Sequence, residues 1–140
     1  MKKIITGVVI LVISLVLYAY GNANRVHAPS EGQNNVTITY TKLSASEARD
    51  MMEILDDFVL LDVRTFEEFA QGHIEGAILI PENVLRENAE YEISDKDAII
   101  LVYCRSGRRS ALAARTLVDL GYTNVYDFGG IDDWPYEIIK

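Results

Sequence analysis

Two short apolar runs, residues 58–63 (FVLLDV) and 98–103 (AIILVY), constrain most strongly what this chain can form. Neither run alternates apolar with polar residues, which is typical of strands that are buried on both faces. Such strands occur mainly in parallel sheets, because the crossover connections of a parallel sheet place helices over both faces. We therefore expect a sheet of mainly parallel strands covered by helices.

The rest of the folded region alternates between strand and helix signals. Capping-box spacing at Ser44 and again at Thr65 predicts two helices, the second ending at Gly72. A third helix is predicted over residues 109–120, with Gly121 as its left-handed stop. Its apolar face is predicted to consist of Leu112, Ala113, Leu117 and Leu120. Further strands are predicted at residues 36–40, as an edge strand, and at residues 77–80 and 124–128.

Between the second and third helices, Pro81 is predicted to be a first helical residue, and the structure of residues 86–97 is left open. Strands that alternate with helices indicate the α/β class. We predict one domain with a mainly parallel central sheet and helices on both faces.

The N-terminal segment has the composition of an export or membrane signal. Lys2 and Lys3 precede residues 4–20, which contain no charged side chain. This run is long for the apolar part of a signal peptide and just long enough to cross a bilayer. Two interpretations stay open: a signal peptide of residues 1–23 that is cleaved after Ala23, or a membrane anchor formed by residues 4–20. Both predict export to a periplasmic or other extracytoplasmic location, with residues 24–35 as a linker and 36–140 as the folded domain.

The folded domain is acidic, yet its positive charges are concentrated in one place. The chain has a net charge of -8, and all 21 acidic residues lie after position 30. This excess of negative charge argues against nucleic acid as a partner, and it limits membrane contact to the N-terminal segment. Four basic residues nevertheless lie at or just after the single cysteine, Cys104: Arg105, Arg108, Arg109 and Arg115.

The segment around Cys104, VYCRSGRRS, has the composition of an anion-binding loop. A cysteine thiol with a pKa of about 8.5 is mostly protonated at neutral pH, and its thiolate is favoured by cations, a helix N-terminus and converging amides. Arginines can supply the cations, Gly107 can let the chain curl, and the following helix can direct its positive end at the sulfur. We therefore predict a loop that binds an anion beside Cys104 and consists of Arg105, Ser106, Gly107, Arg108 and Arg109.

These residues also have interpretations that involve no function. A lone cysteine after a strand is most often a small buried apolar residue. In an exported protein, however, a single cysteine has no partner for an intramolecular disulfide, so that it is a free thiol or an intermolecular bridge. Asp62 and Arg64 are predicted to be an ion pair that stabilises loops next to Cys104. His73 has only His27 of the linker as a histidine companion, so we predict no metal site and no cofactor.

Two long segments carry a family resemblance. They are LLDVRTFEEFAQGHIEGAILIP, residues 60–81, and VYCRSGRRSALAARTLVDLGYTNVYDFGGIDDWP, residues 102–135. Four features occur in order: a strand ending in Asp62-x-Arg64, the turn GHIEGA of residues 72–77, a strand that leads into Cys104, and Gly129-Gly130 near Trp134. With them, the chain resembles the rhodanese (thiosulfate sulfurtransferase) domain family in its single-domain, exported bacterial form, over roughly residues 37–140.

The resemblance implies sulfur transfer. In that family the cysteine, here Cys104, attacks the outer sulfur of a donor such as thiosulfate and carries it as a persulfide. Cyanide or a thiol then accepts the sulfur, which implies ping-pong kinetics. The loop residues 105–109 would bind the donor and the terminal sulfur, with Asp62, Arg64 and Ser110 in supporting positions. We expect a monomer, and from the charge of Arg108 and Arg109 a preference for thiosulfate over a mercapto acid.

Two other functions stay open. Cysteine-dependent phosphatases use a similar anion-binding loop, but they need an arginine six positions after the cysteine, where this chain has Ser110. Because Arg109 ends the loop one residue earlier, the loop resembles that of the sulfurtransferases. The domain could also act as a persulfide carrier that delivers sulfur to a partner protein.

Overall fold

A computed structural model of the chain describes residues 39–140. The elements, in chain order, are β1 (Thr41–Lys42), α1 (Ala45–Ile54), β2 (Val59–Asp62), α2 (Phe66–Gln71), β3 (Ile78–Leu79), a 3₁₀ turn (Glu82–Val84), α3 (Leu85–Glu92), β4 (Ile99–Cys104), α4 (Arg108–Asp119), β5 (Asn124–Gly130) and a second 3₁₀ turn (Ile131–Asp133). The predicted export segment, the linker and residues 36–38 lie outside the described residues. Within residues 39–140, no helix is both long and apolar enough to cross a membrane.

The strands form one sheet in the order β1-β5-β4-β2-β3, and every neighbouring pair is parallel. The predicted parallel α/β fold is therefore confirmed. Strand β4 is central and almost entirely buried, as its unbroken apolar run predicts. Because β2 lies beside β4 with Asp62 opposite Tyr103, the two strands end at the same edge of the sheet.

The helices begin where the capping boxes predict. Ser44 and Thr65 each accept a hydrogen bond from the backbone amide three residues later, and the glutamate at that position accepts one from the cap residue's amide. Helix α4 packs on β4 and β5 and also contacts α3. A buried apolar core cluster lies among these elements and includes Leu61, Leu85, Ile100, Val102, Leu117 and Tyr122.

Four details of the predictions are wrong. Within residues 39–140 the edge strand is Thr41–Lys42, since its bounds are fixed by pairing with Tyr126 and Asp127 of β5, and residues 39 and 40 of the predicted strand lie outside it. Pro81 precedes a 3₁₀ turn instead of beginning a helix. Strand β5 continues two residues further, to Gly130.

The fourth correction concerns the face that α4 buries. Leu112 is exposed, and the buried residues of this helix are Ser110, Ala113, Ala114 and Leu117. Three of these are small, which lets the helix lie close against the sheet. The helix therefore turns its small residues to the core and one of its leucines to solvent.

Candidate active site

Cys104 is the last residue of the central strand. It is only 1% exposed and is a free thiol. Two residues, Arg105 and Ser106, connect it to Gly107, which caps the N-terminus of α4. The strand therefore delivers the sulfur to the carboxyl edge of the sheet, where open α/β folds bind their ligands.

The loop after Cys104 turns back so that a backbone amide meets the sulfur. The amide of Gly107 donates a hydrogen bond to Sγ of Cys104 at 3.1 Å. Gly107 has a φ of 94°, in the left-handed region that favours glycine. The first amides of α4 follow at once, and they have no acceptor within the helix and carry its partial positive charge. The backbone therefore curls at Gly107 as the sequence predicts, and the binding of an anion by this turn stays a prediction.

Ser110 fastens the loop to the strand beside it. Its buried hydroxyl lies 3.0 Å from the carbonyl oxygen of Gly107 and 3.1 Å from that of Gly129, and its one proton is shared between these two acceptors. The hydroxyl thus links the beginning of α4 to the end of β5. The supporting role in the reaction that is predicted for Ser110 stays a prediction.

The end of β5 forms the back wall of the loop. A Cβ atom on Gly130 would overlap the carbonyl oxygen of Arg105 and would lie 2.7 Å from Cα of Ser106. The amide of Asp132 also donates to the carbonyl of Arg105 at 3.1 Å. The loop therefore packs directly on a backbone that has no room for a side chain at position 130. From the sequence, Gly129-Gly130 is identified only through the family resemblance, because the residues around it do not indicate that it contacts the cysteine loop.

A buried carboxylate holds this wall in place. Asp127 is fully buried, and its Oδ1 accepts a hydrogen bond from the amide of Gly129 at 2.9 Å. Its Oδ2 lies 2.8 Å from Nζ of Lys42 on the edge strand. The sequence does not single out Asp127, since one aspartate in a strand has no distinguishing pattern.

Two of the three loop arginines are paired with a carboxylate, so their positive charge is partly compensated. Arg109 donates two hydrogen bonds to the carboxylate of Glu68, at 2.7 and 2.8 Å. Nε of Arg105 lies 3.2 Å from the same carboxylate. Arg108 takes part in none of the ion pairs found within residues 39–140, and it is exposed.

Glu68 is the site residue whose role the sequence misses. Its hydrogen bonds with Arg109 lower the pKa of its carboxyl group from an ordinary 4.5 to about 2, against the opposing effect of burial. The same bonds raise the pKa of Arg109 and outweigh the opposing effect of its burial. The capping box indicates only that Glu68 caps α2, because the loop that brings its partners lies 41 positions further along the chain.

Asp62 and Arg64 form the ion pair that the sequence predicts, with Nη2 of Arg64 2.7 Å from Oδ2 of Asp62. Both residues are buried. Arg64 also donates to the carbonyl oxygen of Gly72 at 2.8 Å, so the pair fixes the end of α2. Burial lowers the pKa of Arg64, but its hydrogen bond and charge interaction with Asp62 outweigh that effect and raise it. The hydrogen bonds of the pair therefore support the helix that carries Glu68.

Ser106 lies exposed in the loop. His73 stacks on Phe69 at 3.7 Å between ring centroids and pairs with Ile139, as expected of a turn residue. In the part of the chain that the structure describes, no three His, Cys, Asp or Glu side chains are grouped so that they could hold a metal ion.

The profile of the rhodanese-like domain family matches residues 44–136. Thiosulfate sulfurtransferase PspE of Escherichia coli is 40% identical over 80 residues, which are 57% of this chain and 77% of that protein. Thiosulfate sulfurtransferase GlpE of Coxiella burnetii is 33% identical over 96 residues, which are 68% of this chain and 87% of that protein. A solved rhodanese with anions from Escherichia coli superposes with a TM-score of 0.56 at 36% identity, and the match covers 59% of this chain and 96% of that one.

Proposed function

The chain belongs to the rhodanese-like domain family, and we propose that it transfers sulfane sulfur from thiosulfate, or a similar anionic donor, to a thiophilic acceptor through a persulfide on Cys104. The observation that carries the proposal is the amide of Gly107, which points at Sγ of Cys104 from 3.1 Å. A loop built in this way can bind negative charge on the cysteine sulfur or on a sulfur attached to it. The names of the relatives PspE and GlpE support thiosulfate as the donor.

In the first step, the thiolate of Cys104 attacks the outer sulfur of thiosulfate. A new S–S bond forms to the cysteine, and the S–S bond of thiosulfate breaks. Sulfite leaves with the bonding electron pair, and the negative charge that was on the thiolate is now on the terminal sulfur of the persulfide. Backbone amides of the loop and of the first turn of α4 stabilise that charge without needing a side chain to move.

In the second step, the acceptor removes the terminal sulfur. Cyanide attacks that sulfur, the S–S bond of the persulfide breaks, and thiocyanate leaves while the Cys104 thiolate is restored. A thiolate acceptor gives a persulfide of its own by the same displacement. The acceptor needs only access to the terminal sulfur. A partner protein with an exposed thiol can therefore act as the acceptor, and the chain would then be a persulfide carrier that delivers sulfur to that protein.

A phosphatase is the rival with a related geometry. Its transition state needs an arginine that closes around the three equatorial oxygens of a phosphoryl group. In this chain, Arg109 is the last arginine of the loop, and both terminal nitrogens of its guanidinium donate hydrogen bonds to the carboxylate of Glu68. Because this guanidinium is already paired with a carboxylate, we propose sulfur transfer and expect no aryl-phosphate hydrolysis.

The experiment is a steady-state assay of thiocyanate formation by the full chain, with thiosulfate and cyanide both varied. We expect parallel lines in double-reciprocal plots, because the sulfite leaves before cyanide reacts. The Cys104→Ser variant is expected to form no thiocyanate. Hydrolysis of an aryl phosphate without thiocyanate formation would contradict the proposal.

We also propose that residues 1–23 direct the domain out of the cytoplasm, on the basis of their charge and apolar pattern. Expression of the full chain in a bacterium, followed by fractionation and mass measurement, tests this. We expect the domain in the periplasm when cleavage occurs after Ala23, or in the membrane fraction when residues 4–20 are kept. Recovery of the uncleaved chain in the cytosol would contradict export.

A further inference from the structure

Glu68 lies at the centre of the positive charges of the active site. Its carboxylate binds Arg109 through both oxygens and Arg105 through one. Its side chain is 14% exposed, whereas that of Arg105 is 57% exposed. One negative charge is therefore shared between two guanidinium groups of the cysteine loop.

The position of Glu68 is fixed from both ends. The amide of Thr65 donates to Oε2 of Glu68 at 3.0 Å, which anchors the carboxylate to the first turn of α2. The buried pair of Asp62 and Arg64 holds the other end of this helix through Gly72. Because hydrogen bonds hold α2 at both ends, the Glu68 carboxylate has a defined position, and Arg105 and Arg109 bind to it there.

The net charge of the side chains at the cysteine loop is positive. Three arginines of the loop carry positive charge, and Glu68 compensates one unit of it. Arg109 is held in place by two charge-assisted hydrogen bonds, which are the strongest kind available to a side chain. Arg108 is left exposed and outside the described ion pairs, so it is the cation most available to an incoming donor.

We infer that Glu68 is a positioning and specificity-determining residue that holds Arg109 and Arg105 against the loop and sets how much positive charge an anion meets at Cys104. The electrostatic part of this inference concerns the thiol itself. The part that concerns donor choice rests on the proposed sulfur transfer.

Because Cys104 is the single cysteine, its alkylation measures the charge at the site without any sulfur chemistry. Iodoacetate is an anion and iodoacetamide is neutral, while both attack the same thiolate. The ratio of their alkylation rates therefore reports the local potential and cancels changes in thiol reactivity. Intact mass measures the extent of each reaction.

The variants form a charge-balanced cycle. Glu68→Gln removes the compensating charge and is expected to raise the ratio of iodoacetate to iodoacetamide rates about two- to fivefold at low salt, which is what Coulomb's law gives for one unit charge in water at separations of roughly 10 to 4 Å. Arg109→Gln is expected to lower the ratio by a similar factor. The double variant restores the balance, so its ratio should return to that of the parent chain. Added salt should reduce all these differences.

Glu47→Gln is the matched control. Glu47 occupies the same capping-box position in α1, where its carboxylate accepts the amide of Ser44 at 2.7 Å. This variant removes the same charge from the same kind of helix start but leaves the loop arginines untouched. We expect an unchanged ratio.

A ratio that stays the same in Glu68→Gln and in Arg109→Gln would overturn the inference. If Glu68→Gln does not fold, Arg109→Gln decides alone, because it leaves the cap on α2 intact. In the thiocyanate assay, the folded Glu68→Gln variant should show a steeper fall of kcat/KM for thiosulfate with salt than the parent chain. A parent chain that forms no thiocyanate but shows the predicted alkylation ratios would refute the proposed function and leave the electrostatic inference standing.

Discussion

Gly130→Ala tests how closely the end of β5 supports the cysteine loop. The backbone at Gly130 has φ of -126° and ψ of 150°, which alanine adopts without strain. The whole effect of the new methyl group therefore comes from contact. Built on the present backbone, the methyl would lie 2.6 Å from the carbonyl carbon of Arg105 and 2.7 Å from Cα of Ser106, and both of these are backbone atoms.

The expected loss of activity and stability in Gly130→Ala depends on how far the new methyl group overlaps the loop backbone. Cβ atoms essentially never approach other heavy atoms within 3.0 Å, and the carbonyl oxygen of Arg105 would be closer still. We expect the loop to move by about 1 Å, a displacement that typically costs on the order of a hundredfold in rate when it reaches the reacting groups. The accompanying loss in the free energy of unfolding should be about 1–3 kcal/mol.

The assay is kcat/KM for thiosulfate together with urea denaturation. Gly76→Ala is the control, because its φ of 82° makes alanine strained while no atom lies within 4 Å of the new methyl group. We expect this variant to lose about 1–2 kcal/mol of stability from strain but to keep its kcat/KM. If Gly130→Ala kept more than half of the activity of the parent chain, the reasoning about the back wall would be refuted.

Arg108→Ala should raise KM for thiosulfate about three- to fivefold with little change in thermal stability, as expected for an exposed charge; an unchanged KM would show that Arg108 does not meet the donor. Arg64→Gln should lower the free energy of unfolding by about 3–5 kcal/mol in urea, because it leaves the buried charge of Asp62 uncompensated; a loss below about 1 kcal/mol would contradict this. The Glu68 carboxyl group has its pKa lowered from 4.5 to about 2 in the folded chain, so its contribution of about 3 kcal/mol is present above pH 4.5 and lost as the pH falls toward 2. Urea curves should show that loss in the parent chain, and Glu68→Gln should lack it.

The strands and helix starts could be predicted because their signals are local. An unbroken apolar run identifies β4, and the two capping boxes identify α1 and α2 within a few residues. The bounds of β1 could not be predicted in this way, because they depend on pairing with β5 about 85 positions away. Which face of α4 is exposed could not be predicted either, because Leu112 and Ala113 both fit the helical period of the apolar residues. Contact with the sheet determines that the small residues of the helix are buried.

The same distinction applies to the active site. Cys104, Gly107 and the arginines adjoin one another in sequence, so their chemistry could be read from one segment. Glu68 and Gly130 reach the loop from other elements and carry no local mark of that contact. As a result, the sequence predicts where the thiol lies but overstates the free positive charge around it.

The mass of the intact chain after incubation with thiosulfate tests the central claim most directly. We predict that the chain gains one sulfur atom on Cys104, that addition of cyanide removes it with one equivalent of thiocyanate, and that Cys104→Ser gains none. The Glu47→Gln chain should behave as the parent does. A parent chain that gains no sulfur from thiosulfate, or that gains it equally without Cys104, would contradict the account.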